Sequence, residues 1–283
     1  MSPRPFADPL CAELLAWVDP HEREALWRVA AAVAAALQRQ VGMLPEGPMM
    51  LGLSGGLDSG LLAHLLRGRR DLVAATVIVD DATIRTEGAD AAEVARLCDL
   101  PWEQVRVSAA QVIDVSNQVA RLLGSTDAVV TAVGTVEWLL LEHRPMIPAV
   151  TLGQGADELF GGYARFGRMP SDMVPPALRS AISDLRKEGI ERDRTIARRL
   201  QRQLHLPYLD ARIDELCHGI PGHWAVPPSQ PTLRKLPLRL AAALLGAPKG
   251  IVLRPKRAAQ YGSGVDKVLR RATAARYSVH EGL

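Results

Sequence analysis

Two short glycine-rich stretches carry the residues whose types and spacing could do chemistry. The first is Leu51-Gly-Leu-Ser-Gly-Gly-Leu-Asp-Ser59 and the second is Thr151-Leu-Gly-Gln-Gly-Ala-Asp-Glu-Leu-Phe-Gly-Gly-Tyr163. Each begins at the end of an apolar run typical of a buried strand, and the first leads into helical sequence. Free backbone N–H groups and the helix dipole form an anion site at such a junction. The chemistry predicted here is the binding of phosphate groups.

The first stretch combines small residues with one carboxylate. Ser54, Gly55 and Gly56 permit close backbone approach to a phosphate group, and Ser59 closes the motif. The carboxylate of Asp58 would repel a phosphate unless a divalent cation joined the two, so magnesium is implied. A Gly-Gly turn after a strand is usually structural, but the full string is far rarer. It is not a Walker A motif, because no Gly-Lys-Ser/Thr follows.

The elements around these stretches alternate between β-prone and helical runs. This alternation is typical of a parallel sheet with crossover helices, and such open sheets bind ligands outside the carboxyl ends of their strands. Both stretches should therefore face one crevice. We predict strands at 49–53, 72–79, 104–107 and 149–152, helices at 21–40, 58–67, 87–98 and 109–142, and a helical layer from about residue 156 onward.

The composition is that of an ordinary globular protein. At 283 residues and 48% hydrophobic the chain can bury a large core, which must depend on Leu, Val and Ala because only 4% of residues are aromatic. We expect a helical lead-in over 1–45 and one α/β domain over 46–283. No apolar run reaches the roughly 18–20 residues of a membrane span and no signal pattern opens the chain, so we expect a cytoplasmic protein without membrane contact. Three scattered cysteines suggest neither a disulfide framework nor a zinc site.

Positive charge is concentrated near the C-terminus. Residues 231–283 hold eleven Lys or Arg against two acids, although the net charge of the whole chain is only +3. Such a segment can face the phosphates of a nucleotide, a nucleic acid or solvent, and charge alone leaves the three open.

The motifs resemble those of a known enzyme family. The first stretch is similar to the SGGxDS loop of the PP-loop ATP pyrophosphatases, and the second to the SGxGxDELFGGY segment of the synthetase domain of class B asparagine synthetases. Three later segments match that family in order and spacing, over about residues 49–270, and the last is most similar to a stand-alone asparagine-synthetase-like branch without a glutaminase domain. They are Leu206-Pro-Tyr-Leu-Asp210 (VPFLD), Arg234-Lys-Leu-Pro-Leu-Arg239 (KxxLR) and Arg254-Pro-Lys256 (RxK).

This resemblance implies a fold, a reaction and a set of site residues. The fold is α/β, a Rossmann-like parallel sheet of the PP-loop ATP pyrophosphatase type with a helical C-terminal layer. The reaction is ATP- and Mg²⁺-dependent adenylation of a small carboxylate, with release of pyrophosphate, followed by acyl transfer to ammonia or another amine. The implied catalytic residues are Lys256, Asp58 and Asp157, and both aspartates bind magnesium. The implied ATP contacts are Leu53, Ser54, Gly55, Gly56, Asp58, Ser59, Val79, Gly153, Gln154, Gly155, Asp157 and Lys256.

Several of these residues also have a structural interpretation. Asp157 could instead be the N-cap of the following helix, and Asp210 could bind substrate or cap a helix. Glu158 and Tyr163 could line the crevice or pack beside it. The substrate contacts we consider are Gln154, Glu158, Tyr163 and Asp210. Arg254 would crowd Lys256 unless an anion is shared between them.

The chain departs from the family's sequence pattern at three places, and each departure limits which properties of the family can be expected of it. Gln154 replaces an acidic residue that assists ammonia, and an amide cannot act as a general base. Gln203-Leu-His205 stands where the family commonly has Glu-x-Arg, which puts aspartate as the substrate in doubt. The chain opens Met1-Ser2-Pro3 rather than with the catalytic Cys of a glutaminase half. Ammonia is then expected to come free or from a separate glutaminase partner.

Two other functions compete with the ligase. A PP-loop tRNA-modifying enzyme would explain the basic C-terminal segment, but aromatic residues for base stacking are scarce and the second stretch is foreign to that group. A nucleic-acid partner is therefore not expected. A non-catalytic nucleotide-binding regulator or scaffold would explain Gln154 and the missing glutaminase half.

Overall fold

The sheet that positions both glycine-rich stretches has five parallel strands. The computed structural model describes residues 8–81, 83–84, 88–255 and 263–280, the last six by backbone alone. The strands are β1 (Met49–Gly52), β2 (Leu72–Val79), β3 (Trp102–Val107), β4 (Ala149–Thr151) and β5 (Gln203–His205). Their order is β3-β2-β1-β4-β5, and β1 is paired in register from Met49 with Leu72 on one side and Ala149 on the other.

Helices cover both faces of this sheet. Side chains alternate between the faces of a strand, so Met49 and Leu51 of β1 join one hydrophobic core and Met50 joins the other. The helices are α1 (Pro9–Leu15), α2 (Arg23–Gly42), α3 (Leu57–Leu66), α4 (Gly88–Leu97), α5 (Ala109–Leu123), α6 (Ala128–His143), α7 (Ala156–Phe160), α8 (Val174–Asp184), α9 (Ile190–Arg199), α10 (Ala211–Cys217), α11 (Gly222–Ala225), α12 (Leu236–Leu244), α13 (Lys249–Val252) and α14 (Val265–His280).

The two cores draw on different parts of the chain. The core on the face of Met49 contains buried residues from α1, α2, α3, α4, α12 and α13. The opposite core is built by α5, α6, α9 and α14. The predicted C-terminal helices therefore pack against the sheet, and they do so on both of its faces.

The predicted α/β fold with a parallel sheet is confirmed, but three element predictions were wrong. The helix expected over 109–142 is two helices, because Gly124 ends α5 in a left-handed conformation and Asp127 caps α6 through its side chain. Strand β3 begins at Trp102, two residues early. Strand β5 lies in a region predicted to be helical, since three residues are too few to give a periodic signal.

The predicted lead-in packs closely on the rest of the chain. Buried residues of α2, including Leu26, Val33 and Leu37, belong to the same core as those of α12. The division at residue 45 stays a prediction. Within the described residues no single helix is long and apolar enough to cross a membrane; α5 and α6 satisfy length and composition only when joined, and they are bent by 112°.

Candidate active site

The site lies where the direction of the strand order reverses. The chain runs outward from β1 to β3 and then returns to place β4 on the other side of β1. Ligands of open α/β sheets bind at this switch point, outside the carboxyl ends of the strands. The loops that leave β1 and β4 are the two glycine-rich stretches, so the sheet brings them together as predicted.

The first loop is a tight turn between β1 and α3. Gly55 has a φ of +75°, and a Cβ there would lie 2.5 Å from the backbone of Asp90 and Ala91. Only glycine fits this position, which packs the loop against α4. The Ser54 N–H donates to Ser59 Oγ at 3.1 Å, and the two hydroxyl oxygens are also 3.1 Å apart. Gly56, at the N-cap of α3, has no side-chain cap, so this helix end can serve an anion.

The second loop touches the first. A Cβ on Gly153 would lie 3.3 Å from Asp58 Cβ and 3.3 Å from the Ser59 N atom. Gly155, with a φ of +93°, is the N-cap residue of α7 and packs on Leu209. Asp157 therefore lies inside the first turn of α7, and its interpretation as the N-cap is wrong.

A buried lysine joins the two loops. Lys235 Nζ lies 2.6 Å from Asp58 Oδ1 and 2.6 Å from Asp157 Oδ1, and its side chain is 0% exposed. Both carboxylate oxygens contact the same atom, so they are at most about 5 Å apart. At that distance two carboxylates repel each other by roughly 3 kcal/mol at an effective dielectric of 20, and the ammonium offsets this repulsion.

The backbone around Lys235 is constrained to hold it there. Lys235 has a φ of +68°, which is uncommon for a residue with a side chain, and its N–H donates to the Ala225 carbonyl at 2.7 Å. A Cβ on Gly162 would overlap both Asp157 Oδ1 and Lys235 Cε. Arg239, which is buried one turn along α12, donates to the carbonyls of Leu233 and Val252. The sequence placed Lys235 in the KxxLR segment but gave it no role.

The segment from Leu206 to Asp210 supports the first loop from behind. The hydroxyl of buried Tyr208 donates to the Asp58 carbonyl at 2.8 Å. Asp210 caps α10 by accepting from the Arg212 and Ile213 N–H groups, and it also accepts from Gln40 Nε2 at 2.7 Å. Asp210 was predicted either to bind substrate or to cap a helix, and the structure contains the hydrogen bonds of the helix cap.

Glu158 and Tyr163 pack beside the loop as a pair. The hydroxyl of Tyr163 donates to Glu158 Oε1, and both side chains are largely buried. Burial raises the pKa of the Glu158 carboxyl, while the hydrogen bond from Tyr163 opposes the shift. Burial also raises the pKa of the Tyr163 hydroxyl. Glu158 borders a narrow gap with Leu178 and Cys217, on α8 and α10.

Two of the predicted ATP contacts on the β2 side of the site, Leu53 and Val79, use backbone groups in hydrogen bonds within the protein. The Leu53 N–H donates to the Ala75 carbonyl, and the Leu53 carbonyl accepts from Thr76 Oγ1 at 2.5 Å. The Val79 N–H donates to the Ser263 carbonyl at 3.0 Å. Gln154 is half-buried in the second loop.

Lys256, which the resemblance implies to be a catalytic residue that contacts ATP, lies outside the described residues. Lys256 follows directly after the described Arg254 and Pro255. Arg254 pairs with Asp90 at 2.9 Å and with Glu93 at 2.5 Å, so protein carboxylates supply the anions that its charge was expected to share with a ligand. These pairs fix the chain to α4 just before residue 256, beside a cavity of about 280 Å³.

His205 is the last residue of β5 and is partly buried. Its Nε2 is buried without a hydrogen-bond partner among the described residues, and burial lowers the pKa of the imidazole. A neutral ring at this position cannot replace the bidentate charge of an arginine.

The donors around Lys235 suit magnesium only in part. Carboxylate oxygens are ligands that Mg²⁺ prefers, and it is usually bound by one or two of them together with substrate phosphates. Asp58 and Asp157 provide two such groups. Over the described part of the chain, no three His, Cys, Asp or Glu residues are grouped closely enough to hold a metal ion. The residues present therefore fit a magnesium ion whose remaining ligands come from a phosphate compound and water.

A family model for asparagine synthase matches residues 28–206, which include both loops and all five strands. The chain belongs to the asparagine synthase family. The match extends back into α2, in accord with the packing of that helix on the core.

Relatives and a solved structure accompany this match. A Methanocaldococcus jannaschii protein provisionally named asparagine synthetase (glutamine-hydrolyzing) 1 is 28% identical over 76% of this chain and 46% of its own length. An asparagine synthetase domain-containing protein of Saccharomyces cerevisiae is 30% identical over 42% of this chain and 21% of its own. The chain thus spans less than half of either relative. An NMN synthetase structure from Francisella tularensis aligns over 86% of this chain and 85% of that one, with 14% identity and a TM-score of 0.42.

Proposed function

We propose that this member of the asparagine synthase family is an ATP-dependent ligase that adenylates a small carboxylate and passes the acyl group to ammonia or another amine. The observation that carries the proposal is the meeting of Asp58 and Asp157, from two loops, on the single buried ammonium of Lys235. A paired acidic and basic centre beside the free N-terminus of α3 suits a metal-bound triphosphate.

In the first half-reaction a carboxylate oxygen of the substrate attacks the α-phosphorus of ATP. The bond from that phosphorus to the bridging oxygen breaks, and pyrophosphate leaves. Such transfers need little covalent help from the protein, so positioning and positive charge supply most of the rate. Ser54, Gly55, Gly56 and Ser59 would hold the leaving phosphates, and Lys235 would face their charge.

Magnesium, when bound, would neutralise phosphate charge, and Asp58 and Asp157 are the residues that would hold it. Lys256, adjacent to the tethered Arg254, is proposed to meet the α-phosphate and the charge that develops in acyl transfer. Each of these roles is tested by substitution in the same assay.

In the second half-reaction an amine nitrogen attacks the acyl carbon, AMP leaves and the nitrogen loses a proton. Gln154 cannot take that proton. Glu158 is bound by Tyr163 and borders α8 and α10, so the phosphate of the adenylate is the better candidate acceptor. The amine is proposed to be free ammonia, another small amine, or ammonia supplied by a separate glutaminase chain.

The decisive experiment is ATP–pyrophosphate exchange measured across a panel of amino acids and small carboxylates, with and without ammonium. Exchange that depends on one carboxylate would support the proposal, and AMP formation that rises with an amine would identify the acceptor. ATP binding by calorimetry without AMP formation, across the whole panel, would contradict the ligase and favour a nucleotide-binding regulator.

A further inference from the structure

The N-terminal turn of α4 lies directly against the first glycine-rich loop. A Cβ on Gly55 would lie 2.5 Å from the carbonyl carbon of Asp90 and 2.5 Å from the N atom of Ala91. Packed protein interiors have low compressibility, so a shift of this turn must displace the loop or open a gap beside it. Gly55 lies between Ser54 and Gly56, and the position of this turn of α4 therefore constrains the backbone of the loop.

Arg254 ties that turn of α4 to the end of α13. Its guanidinium donates to Asp90 Oδ1 at 2.9 Å and to Glu93 Oε2 at 2.5 Å, and its Nε donates to the Gly250 carbonyl at 3.2 Å. The Arg254 side chain is only 12% exposed, so these charge-assisted bonds are stronger than those of an ordinary surface pair. The cavity of about 280 Å³ borders all four residues, so ion pairs rather than close packing restrain this side of α4.

Helix α13 gives Arg254 a fixed base. A Cβ on Gly60, in the helix that follows the loop, would lie 3.0 Å from Ile251 Cγ2, and a Cβ on Gly250 would lie 3.1 Å from Leu97 Cδ1 of α4. Ile251 and Val252 are fully buried. Helix α13 is therefore packed on both α3 and α4, and Arg254 extends this packing to the turn of α4 that touches the loop.

We propose that Arg254 is a positioning residue for the first glycine-rich loop and that it acts through α4. By holding Asp90 and Glu93 it keeps the loop in one arrangement before a ligand binds, so less ordering entropy is lost on binding. Both Nη atoms of Arg254 are engaged by α4, which places its action on the loop rather than on the reacting groups. What the loop binds rests on the proposed function, whereas its ordering by Arg254 does not.

The test is hydrogen–deuterium exchange of the ligand-free full chain, followed by mass spectrometry of peptides that cover residues 50–62. In this segment the Ser54 N–H is bonded to Ser59 Oγ and the Gly60 N–H to the Gly56 carbonyl. Arg254→Met should raise the exchange rate of this segment and of the first turn of α4 by at least about fivefold. Unchanged exchange there, or an equal rise in all peptides, would overturn the assignment.

Arg198→Met is the matched control for this measurement. Arg198 pairs with Glu191 at 2.6 Å on α9, which packs in the core on the opposite face of the sheet. Its substitution removes an ion pair by the same chemical change, and exchange over residues 50–62 should stay at the wild-type rate. Faster exchange of that segment in Arg198→Met would contradict a specific role for Arg254.

Glu93→Gln tests the same contact from α4, at a side chain that is 49% exposed and can be changed without disturbing the core. It should also raise exchange over residues 50–62, though by less than Arg254→Met, because the bond to Asp90 is kept. If Arg254 instead served a phosphate directly, Glu93→Gln would release its guanidinium, tighten the binding of inorganic pyrophosphate in calorimetry and leave loop exchange unchanged. That result would overturn the assignment.

The proposed ligase activity gives a separate readout. Arg254→Met should raise the KM for ATP in ATP–pyrophosphate exchange by about tenfold and change kcat by less than about threefold, because the loop is then ordered at the expense of binding. A fall in kcat with an unchanged KM would contradict the assignment. If no carboxylate supports exchange in the wild-type chain, the ligase proposal fails, while the hydrogen-exchange result in the ligand-free chain still decides the role of Arg254.

Discussion

At the residue scale, the site is held together by the ion pairs of Lys235 with Asp58 and Asp157, which form within the protein itself. Asp58 and Asp157 could be predicted to meet, because both follow strands whose carboxyl ends lie at one edge of a sheet. Lys235 could not be assigned in the same way, since it is 177 residues from Asp58 and precedes a helix rather than following a strand. The KxxLR pattern marked its segment, but only the packing shows where the ammonium points.

The substitution Asp58→Asn should lower ATP–pyrophosphate exchange by about a hundredfold or more, because it removes one of two proposed metal ligands and changes the balance around Lys235. Initial exchange rates at saturating ATP measure this effect. Asp114→Asn, at an exposed position of α5, is the control and should keep the wild-type rate. Near-normal exchange in Asp58→Asn would mean that the site is misplaced.

Gln154 is the position at which a substitution can test the proposed transfer of the acyl group to an amine. Glu at this position can accept a proton from an attacking amine, so Gln154→Glu should create or raise ammonia-dependent asparagine formation if aspartate is adenylated. Product formation with aspartate, ATP and ammonium, followed by chromatography, measures it. Unchanged product formation would leave Gln154 without a role in the acceptor step.

At the scale of elements, glycines set how closely the loops approach each other. Their motif positions were clear from the sequence, whereas the short strand β5 and the break between α5 and α6 were not. A three-residue strand gives no periodic pattern, and the break depends on the conformation of Gly124 and the cap at Asp127. Local signals of that kind are easily masked by the apolar sequence on either side.

Gly162→Ala should abolish most of the exchange activity, because the added Cβ would overlap Asp157 and Lys235 and force them apart. We expect a loss of at least about a hundredfold in exchange, and destabilisation of about 1–3 kcal/mol from overpacking. Gly219→Ala is the matched control, since a Cβ there meets nothing within 4 Å. Equal activity of the two variants would show that the loop tolerates displacement.

Helices α6 and α9 bury a carboxyl pair that predicts a pH dependence of stability. Burial raises the pKa of the Glu137 carboxyl, and the nearby charge of Asp193 raises it further. A raised pKa in the folded state gives stability that is present below the unfolded pKa, about 4.3, and is lost as pH rises through the folded value. Glu137→Gln should therefore gain stability relative to wild type as pH rises from 5 to 8.

Urea unfolding at several pH values measures this gain. The control is Glu142→Gln, at an exposed position on the same helix, whose stability should follow that of wild type at every pH. Parallel curves for Glu137→Gln and wild type would contradict a raised pKa for the Glu137 carboxyl.

At the scale of the whole molecule, the N-terminal helices and the site are parts of one core. Helix α2 packs on α12, and the backbone of α12 begins directly after Lys235. The sequence predicted a helical lead-in because a Pro- and Gly-rich segment follows α2, and such a segment marks a turn without saying how the helix before it packs. Contacts between distant helices are set by packing, which leaves no local sequence signal.

Leu37→Ala tests this packing. Leu37 is fully buried on α2, so its truncation should reduce the free energy of unfolding by about 2–5 kcal/mol. Urea unfolding monitored by circular dichroism measures the change. Val129→Ala, at an exposed position of α6, should change it by less than about 0.5 kcal/mol. A small effect at Leu37 would mean that α2 is dispensable for the core.

The separation of 177 positions between Asp58 and Lys235 also bears on how the protein is made. A ribosome releases the chain from its N-terminus, so both aspartate loops emerge well before their shared counter-ion and before the helix that covers α2. Nascent chains that stop short of residue 235 should therefore leave two neighbouring acids uncompensated and an apolar helix face bare. Assembly of the centre around Lys235 then becomes one of the last events of synthesis.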